Sequence, residues 1–142
     1  QDIWEEINLI KKGANYGWSD RDGPRASTFH AQPFQPEQKY EDPVYAYTHA
    51  EGISATGGFM YRGARLPQLQ GCYIYADWGS GVVWALRYDP DSKKVQERLV
   101  LFRRPDDKER PFNPTMISAD AAGEVVIMSQ EGTVYTLTPA DG

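Results

Sequence analysis

The chain has 142 residues, 40% of them hydrophobic, 13% aromatic and 25% charged, with a formal net charge of −5, a profile that fits a folded globular protein and excludes a disordered one. No run approaches the ~18 consecutive apolar residues of a membrane helix. The basic residues are scattered apart from Arg103-Arg104, so no basic face forms that would hold a nucleic acid.

In chain order, Ile3 to Ile10 reads as a strand that ends at the turn Lys11-Lys12-Gly13. Residues 15–40 are rich in Pro, Gly, Gln and Ser without periodicity and read as a long loop. Val44 to Thr48 and Ser54 to Arg62 are short strands, and Cys72 to Ala76 with Val82 to Tyr88 form a hairpin. Val95 to Phe102 carries polar residues near its start, as an outer strand does. A charged, proline-rich connector from Arg103 to Pro114 leads to Met116–Asp120 and a second hairpin.

The two hairpins are near copies, GCYIYADWGSGVVWAL from Gly71 to Leu86 and GEVVIMSQEGTVYTL from Gly123 to Leu137. Each opens on glycine, alternates apolar residues with period two, turns through a polar Gly-containing segment and ends on Gly-x-Val-aromatic-x-Leu. Units of several short strands that repeat at roughly 40–50 residues are the signature of β-propeller blades. The expected fold is therefore all-β, about two to three blades. Residues 1–52 supply the end of one blade and a long loop, 53–102 a complete four-stranded blade, and 103–142 most of a further blade. A closed ring needs about four to eight blades. The expected partners of the sheets are thus the remaining blades of a longer protein or other copies of the chain.

Four segments carry a family resemblance. WEEINLIKKGANYGW (Trp4–Trp18), YTHAEGISATGGFMYRG (Tyr47–Gly63), the first hairpin and SADAAGEVVIMSQEGTVYTL (Ser118–Leu137) occur in the order found in the C-terminal part of the glucose/sorbosone dehydrogenases. The propeller of hedgehog-interacting protein is similar to these. The resemblance implies a six-bladed propeller from a sugar or alcohol dehydrogenase that uses pyrroloquinoline quinone and calcium. In such enzymes the quinone carries the redox chemistry and a histidine acts as general base. That histidine lies upstream of the Glu-Glu-Ile-Asn motif, so no catalytic residue is assigned to this chain and the chain alone is expected to be inactive. Family members are usually exported, which implies a periplasmic or extracellular location; the sequence itself shows no leader. The alternative reading is a non-catalytic propeller module that binds a protein or carbohydrate.

The resemblance places Gln1 where main-chain carbonyls pass the calcium, at the edge of the cofactor site. His49 closes a strand before a Gly turn, where a side chain can reach the mouth of a propeller channel, or serve structure alone. Arg62 follows an aromatic strand and can contact a ligand or pair an acid. Asp20 and Asp22 in SDRDGP are spaced like the start of a calcium loop, with Gly23 for the sharp turn, and equally like a plain Asp/Gly turn. His30 reads as solvated. Where quinone-binding members can carry lysine or arginines, this sequence has Gly79-Ser80 and Pro111-Phe112-Asn113-Pro114-Thr115, which removes positive charge. Asp77 is expected to cap its hairpin, Trp18 and Trp84 to fill space between blades, and Cys72, the single cysteine, to be a buried structural thiol.

Overall fold

A computed structural model describes residues 3–28, 39–105 and 111–140, so Gln1 and His30 lie outside the described residues. The chain is all-β and divides into two units, residues 1–53 and residues 54–142.

In the first unit, β1 (Trp4–Ile7) pairs antiparallel with β4 (Tyr45–Thr48), Trp4 opposite Thr48 and Ile7 opposite Tyr45. The strand stops at Ile7, short of Ile10. Beyond it the chain curls, held by the Tyr16 hydroxyl, which donates to the Leu9 carbonyl (2.9 Å) and accepts from the Lys11 N–H (2.6 Å). The segment read as a loop contains a small hairpin, β2 (Arg21–Asp22) and β3 (Arg25–Ala26). Gly23 turns it with φ +60°, and a Cβ there would lie 2.7 Å from Trp4 Cβ. Strands of two residues are too short to leave a period in the sequence.

The second unit holds a four-stranded antiparallel sheet in the order β5 (Ala55–Met60), β6 (Tyr73–Asp77), β7 (Val82–Asp89), β8 (Lys94–Arg103). A three-stranded sheet follows, β9 (Pro114–Ala119), β10 (Val125–Ser129) and β11 (Val134–Thr136). Neither sheet closes on itself. β5 runs beside β9, joined by the Thr56 hydroxyl to the Pro114 carbonyl at 2.8 Å. The two sheets stack as consecutive blades, Ile74, Ala76, Val83 and Ala85 of the first meeting Ile117, Val125 and Ile127 of the second in one buried layer. These residues alternate along their strands, so the period-two pattern is what delivers an apolar face to each side of the seam.

The Gly57-Gly58 pair has a steric cause. β5 is bulged between Thr56 and Phe59, and a Cβ on Gly58 would sit 1.6 Å from the Ile74 carbonyl oxygen. Of the two tryptophans expected between blades, Trp84 is buried and stacked on Tyr75 at 5.2 Å between ring centres, whereas Trp18 is 61% exposed. Trp18 follows Gly17 in an irregular segment outside any sheet, so it has no blade face to join.

Candidate functional site

Because adjacent strands alternate in direction, the β6–β7 turn, the β8–β9 connection and the β10–β11 turn all emerge at one end of the second unit. This rim is the part of the chain where the family resemblance places basic residues. Asp77, fully buried, accepts the Ser54 N–H and the Ser80 N–H, each at 2.7 Å, and so caps its hairpin as its position predicts. Gly81 completes the turn at φ +64°, and a Cβ there would meet Arg104 Cβ and the Phe112 carbonyl at 2.7 Å. Room for Arg104 is thus set by a glycine.

The Arg104 guanidinium donates to the carbonyls of Gly79 (2.9 Å) and Phe112 (3.3 Å), bridging the first hairpin turn to the start of the next blade. Asn113 continues the seam, its amide donating to the Trp78 carbonyl (2.7 Å) while its N–H donates to the Ser129 hydroxyl (2.8 Å). The Trp78 indole N–H donates to the Gln130 side-chain oxygen at 2.8 Å. Glu131 completes the rim, accepting from the Ser129 and Tyr135 hydroxyls. Burial pushes the Glu131 carboxyl up, but the bonds from Ser129, its own backbone, Tyr135 and Asn113 outweigh it and hold the group below the usual carboxylate range. An open cleft of about 410 Å³ lies beside it, walled by Phe102, Phe112 and Tyr135, whose rings meet edge to face at 4.9 and 5.2 Å.

Among the described residues the rim is aromatic and carries the Glu131 carboxylate beside Arg103, the last residue of β8, and Arg104, the next. A quinone bearing three carboxylates needs cations at this place. Gly79, Ser80 and Pro111–Thr115 supply none, Arg104 is turned onto main-chain carbonyls, and Glu131 adds negative charge. Gly79, Ser80 and Pro111–Thr115 do not fit the carboxylates of pyrroloquinoline quinone.

At the opposite end of the same unit lies a charged group that sequence reasoning missed. Glu124, buried at the foot of β10, accepts the Tyr61 hydroxyl (2.7 Å) through one oxygen and the N–H groups of Ala64 and Arg65 (2.9 Å each) through the other. Tyr61 in turn accepts the Leu66 N–H at 2.9 Å. The Tyr61 hydrogen bond, with the two backbone N–H groups, holds the Glu124 carboxyl below its ordinary range despite desolvation. Burial, followed by the same carboxylate, pushes the Tyr61 hydroxyl up. The available signal was the repeat itself: Glu124 stands where the first copy has Cys72, an acid at an apolar position. Cys72 is buried, and burial pushes its thiol up, away from the reactive thiolate.

The structure separates the remaining candidates. Arg62 is exposed at the Glu124 end of its blade, not at the rim. In the first unit His49 Nε2 lies 3.2 Å from Glu5 Oε1, across the β1–β4 pair, and the His49 backbone N–H donates to the Ile3 carbonyl. The two aspartates of SDRDGP face different partners: Asp20 accepts the Tyr40 hydroxyl, while Asp22, buried, accepts the Ile3 N–H at 3.2 Å. Among the described residues no three His, Cys, Asp or Glu side chains converge as a metal site would require. Among them, too, no helix is long and apolar enough to cross a membrane.

Comparison with known proteins finds relatives and a family. The HIPL1 protein of Arabidopsis thaliana is 37% identical over 97 residues, which cover 60% of this chain and 14% of that protein. The HIPL2 protein of the same plant is 30% identical over 116 residues, 72% of this chain and 16% of that protein. The chain thus spans about a sixth or less of each relative's length. The profile of the family described as glucose/sorbosone dehydrogenase matches residues 2–111, and the chain belongs to that family.

Proposed function

We propose that residues 1–142 are a sector of a glucose/sorbosone dehydrogenase-family propeller that serves as a recognition module, offering a carbohydrate or protein partner an aromatic rim of amide and hydroxyl groups. The observation that carries this reading is the charge of the rim: Gly79, Ser80 and Asn113 where cations would be needed, Arg104 engaged with backbone carbonyls, and Glu131 anionic. Amide and hydroxyl groups beside aromatic faces suit neutral hydroxylated or peptide ligands, which need directional hydrogen bonds and apolar contact more than countercharge. Titration with pyrroloquinoline quinone and calcium, followed by native mass spectrometry, tests it. No cofactor adduct on the chain is the expected result; one quinone per chain would overturn the reading.

A second reading is favoured by the family match over residues 2–111. In it the whole protein is a sugar or alcohol dehydrogenase whose general base sits on blades outside these 142 residues, which reach the edge of the quinone and calcium site. Gln1 and His49 are then the candidates nearest the cofactor, with Arg62 at the end of its blade away from the rim, and Asp20 and Asp22 those for calcium. Sugar oxidation by the full-length protein that depends on added quinone and calcium would select this reading. Either reading carries the family's periplasmic or extracellular location.

A further inference from the structure

The cleft beside Glu131 joins aromatic faces to a negative charge. Phe112 is buried, and the rings of Phe102 and Tyr135 stand at 72° and 81° to it, so aromatic surface is offered in nearly perpendicular orientations. The Glu131 carboxyl lies below the usual carboxylate range and is therefore ionised at neutral pH. Neither arginine of the rim lines the cleft. Arg103 follows Phe102 on β8 and so points to the other face of the strand, and the Arg104 guanidinium is held on the Gly79 and Phe112 carbonyls. A carboxylate beside ring faces is complementary to a cation that sheds water readily.

The internal repeat shows which cation suits this position. Counted from the turn glycines, Gly81 and Gly132, Trp84 corresponds to Tyr135. In the first blade the Arg98 guanidinium lies over Trp84, 4.4 Å from the ring centre, while its Nε donates to the Tyr75 hydroxyl at 2.8 Å. Trp84 is 3% exposed, whereas Tyr135 is 37% exposed. The first blade thus covers its aromatic position with an arginine of its own, and the second leaves the equivalent ring partly open beside a carboxylate.

We infer that the Phe102–Phe112–Tyr135 cleft, with Glu131 at its edge, receives an arginine side chain of a protein partner. A guanidinium is planar and weakly hydrated, stacks on rings and turns its N–H donors toward a carboxylate, whereas the lysine ammonium is compact and strongly hydrated. The cleft is open to the surface, so a side chain can enter while the backbone that carries it stays outside. The net charge of −5 favours the approach of a basic segment. The inference rests on the recognition reading above and narrows the partner from a carbohydrate or protein to a protein that presents arginine.

The test is a nuclear magnetic resonance titration of the isotope-labelled 142-residue chain with acetyl-Gly-Arg-Gly-amide, and with the same peptide carrying citrulline, which keeps the shape and removes the charge. The arginine peptide is expected to move the signals of Phe112, Glu131 and Tyr135 saturably, and the citrulline peptide to bind at least about fivefold more weakly. Tyr135→Leu is expected to weaken the arginine peptide at least about threefold. Equal responses to the two peptides, or no saturable shift at these residues, would overturn the inference whether or not the variant folds. Maltose moving the same signals at a lower concentration than the arginine peptide would overturn it in favour of a carbohydrate, and a dimer dispersed by the peptide in favour of a second copy. A quinone adduct in the mass-spectrometric titration would remove the recognition reading itself, whereas no adduct together with no peptide response would remove only the arginine partner.

Discussion

Replacing Tyr61 by phenylalanine removes a single oxygen from the join between the two blades. That oxygen donates to Glu124 at 2.7 Å and accepts the Leu66 N–H at 2.9 Å, and the ring around it is fully buried. Its loss leaves one buried N–H without its acceptor, a cost of about 1–3 kcal/mol, and removes a hydrogen bond to a charged group of about 1.5–3 kcal/mol. The Ala64 and Arg65 N–H bonds to the other carboxylate oxygen survive, so the losses do not add in full, and Tyr61→Phe is expected to cost about 2–4 kcal/mol. With a urea m value of about 2 kcal/mol/M the midpoint falls by about 1–2 M. Tyr61→Phe and Glu124→Gln together should cost less than their separate effects summed, because both break the same bond. The pH dependence has a definite sign. Glu124 is held below its ordinary range, so its contribution is present above the unfolded carboxylate pKa and lost as pH falls through the folded value. Tyr61 is raised, so its contribution is complete below the unfolded tyrosine pKa and lost as pH rises through the folded one. The difference between wild type and Tyr61→Phe should therefore be widest at about pH 6–9 and narrow in acid. A variant within about 0.5 kcal/mol of wild type, or one whose deficit is unchanged at low pH, would refute the reasoning.

Ile127→Ala, in the seam, is expected to cost about 2–5 kcal/mol, while the neighbouring Met128→Ala stays below about 1 kcal/mol in this chain; equal losses in urea melts would show that the seam is misplaced. Gly58→Ala puts a methyl within 1.6 Å of the Ile74 carbonyl, so β5 must leave β6, and circular dichroism should record loss of cooperative unfolding. Cys72 is expected to react with a thiol reagent only in denaturant, at least about a hundredfold faster than in the native chain. Reaction at comparable rates in both would contradict its burial.

The hairpins were legible because their residues lie within one local period: Tyr73–Asp77 against Val82–Asp89, and Val125–Ser129 against Val134–Thr136, carry alternation and turn glycines together. The number of strands per sheet followed from that, and the stacking of sheets followed from the repeat. The first unit was less legible. Leu9 and Ile10 are apolar and extend the strand pattern, yet a tyrosine six to seven residues onward bends the chain away before they pair. The rim was half legible: the missing basic residues could be read directly, but Arg104 sits 25 residues from Gly79, and no local pattern announces a side chain that will be spent on a distant carbonyl. The Glu124 clasp spans 59 to 63 residues to its partners, and only the mismatch of glutamate against Cys72 in the repeat pointed to it.

Native-state hydrogen exchange over residues 54–142 tests the stacking of consecutive blades most directly. The buried seam and the Glu124 clasp should make β5–β7 and β9–β10 open together, with the slowest amides of both sheets sharing one unfolding free energy and one response to Tyr61→Phe. Exchange of β9–β10 through a separate, lower-energy opening that leaves β5–β7 protected and is indifferent to Tyr61→Phe would contradict it.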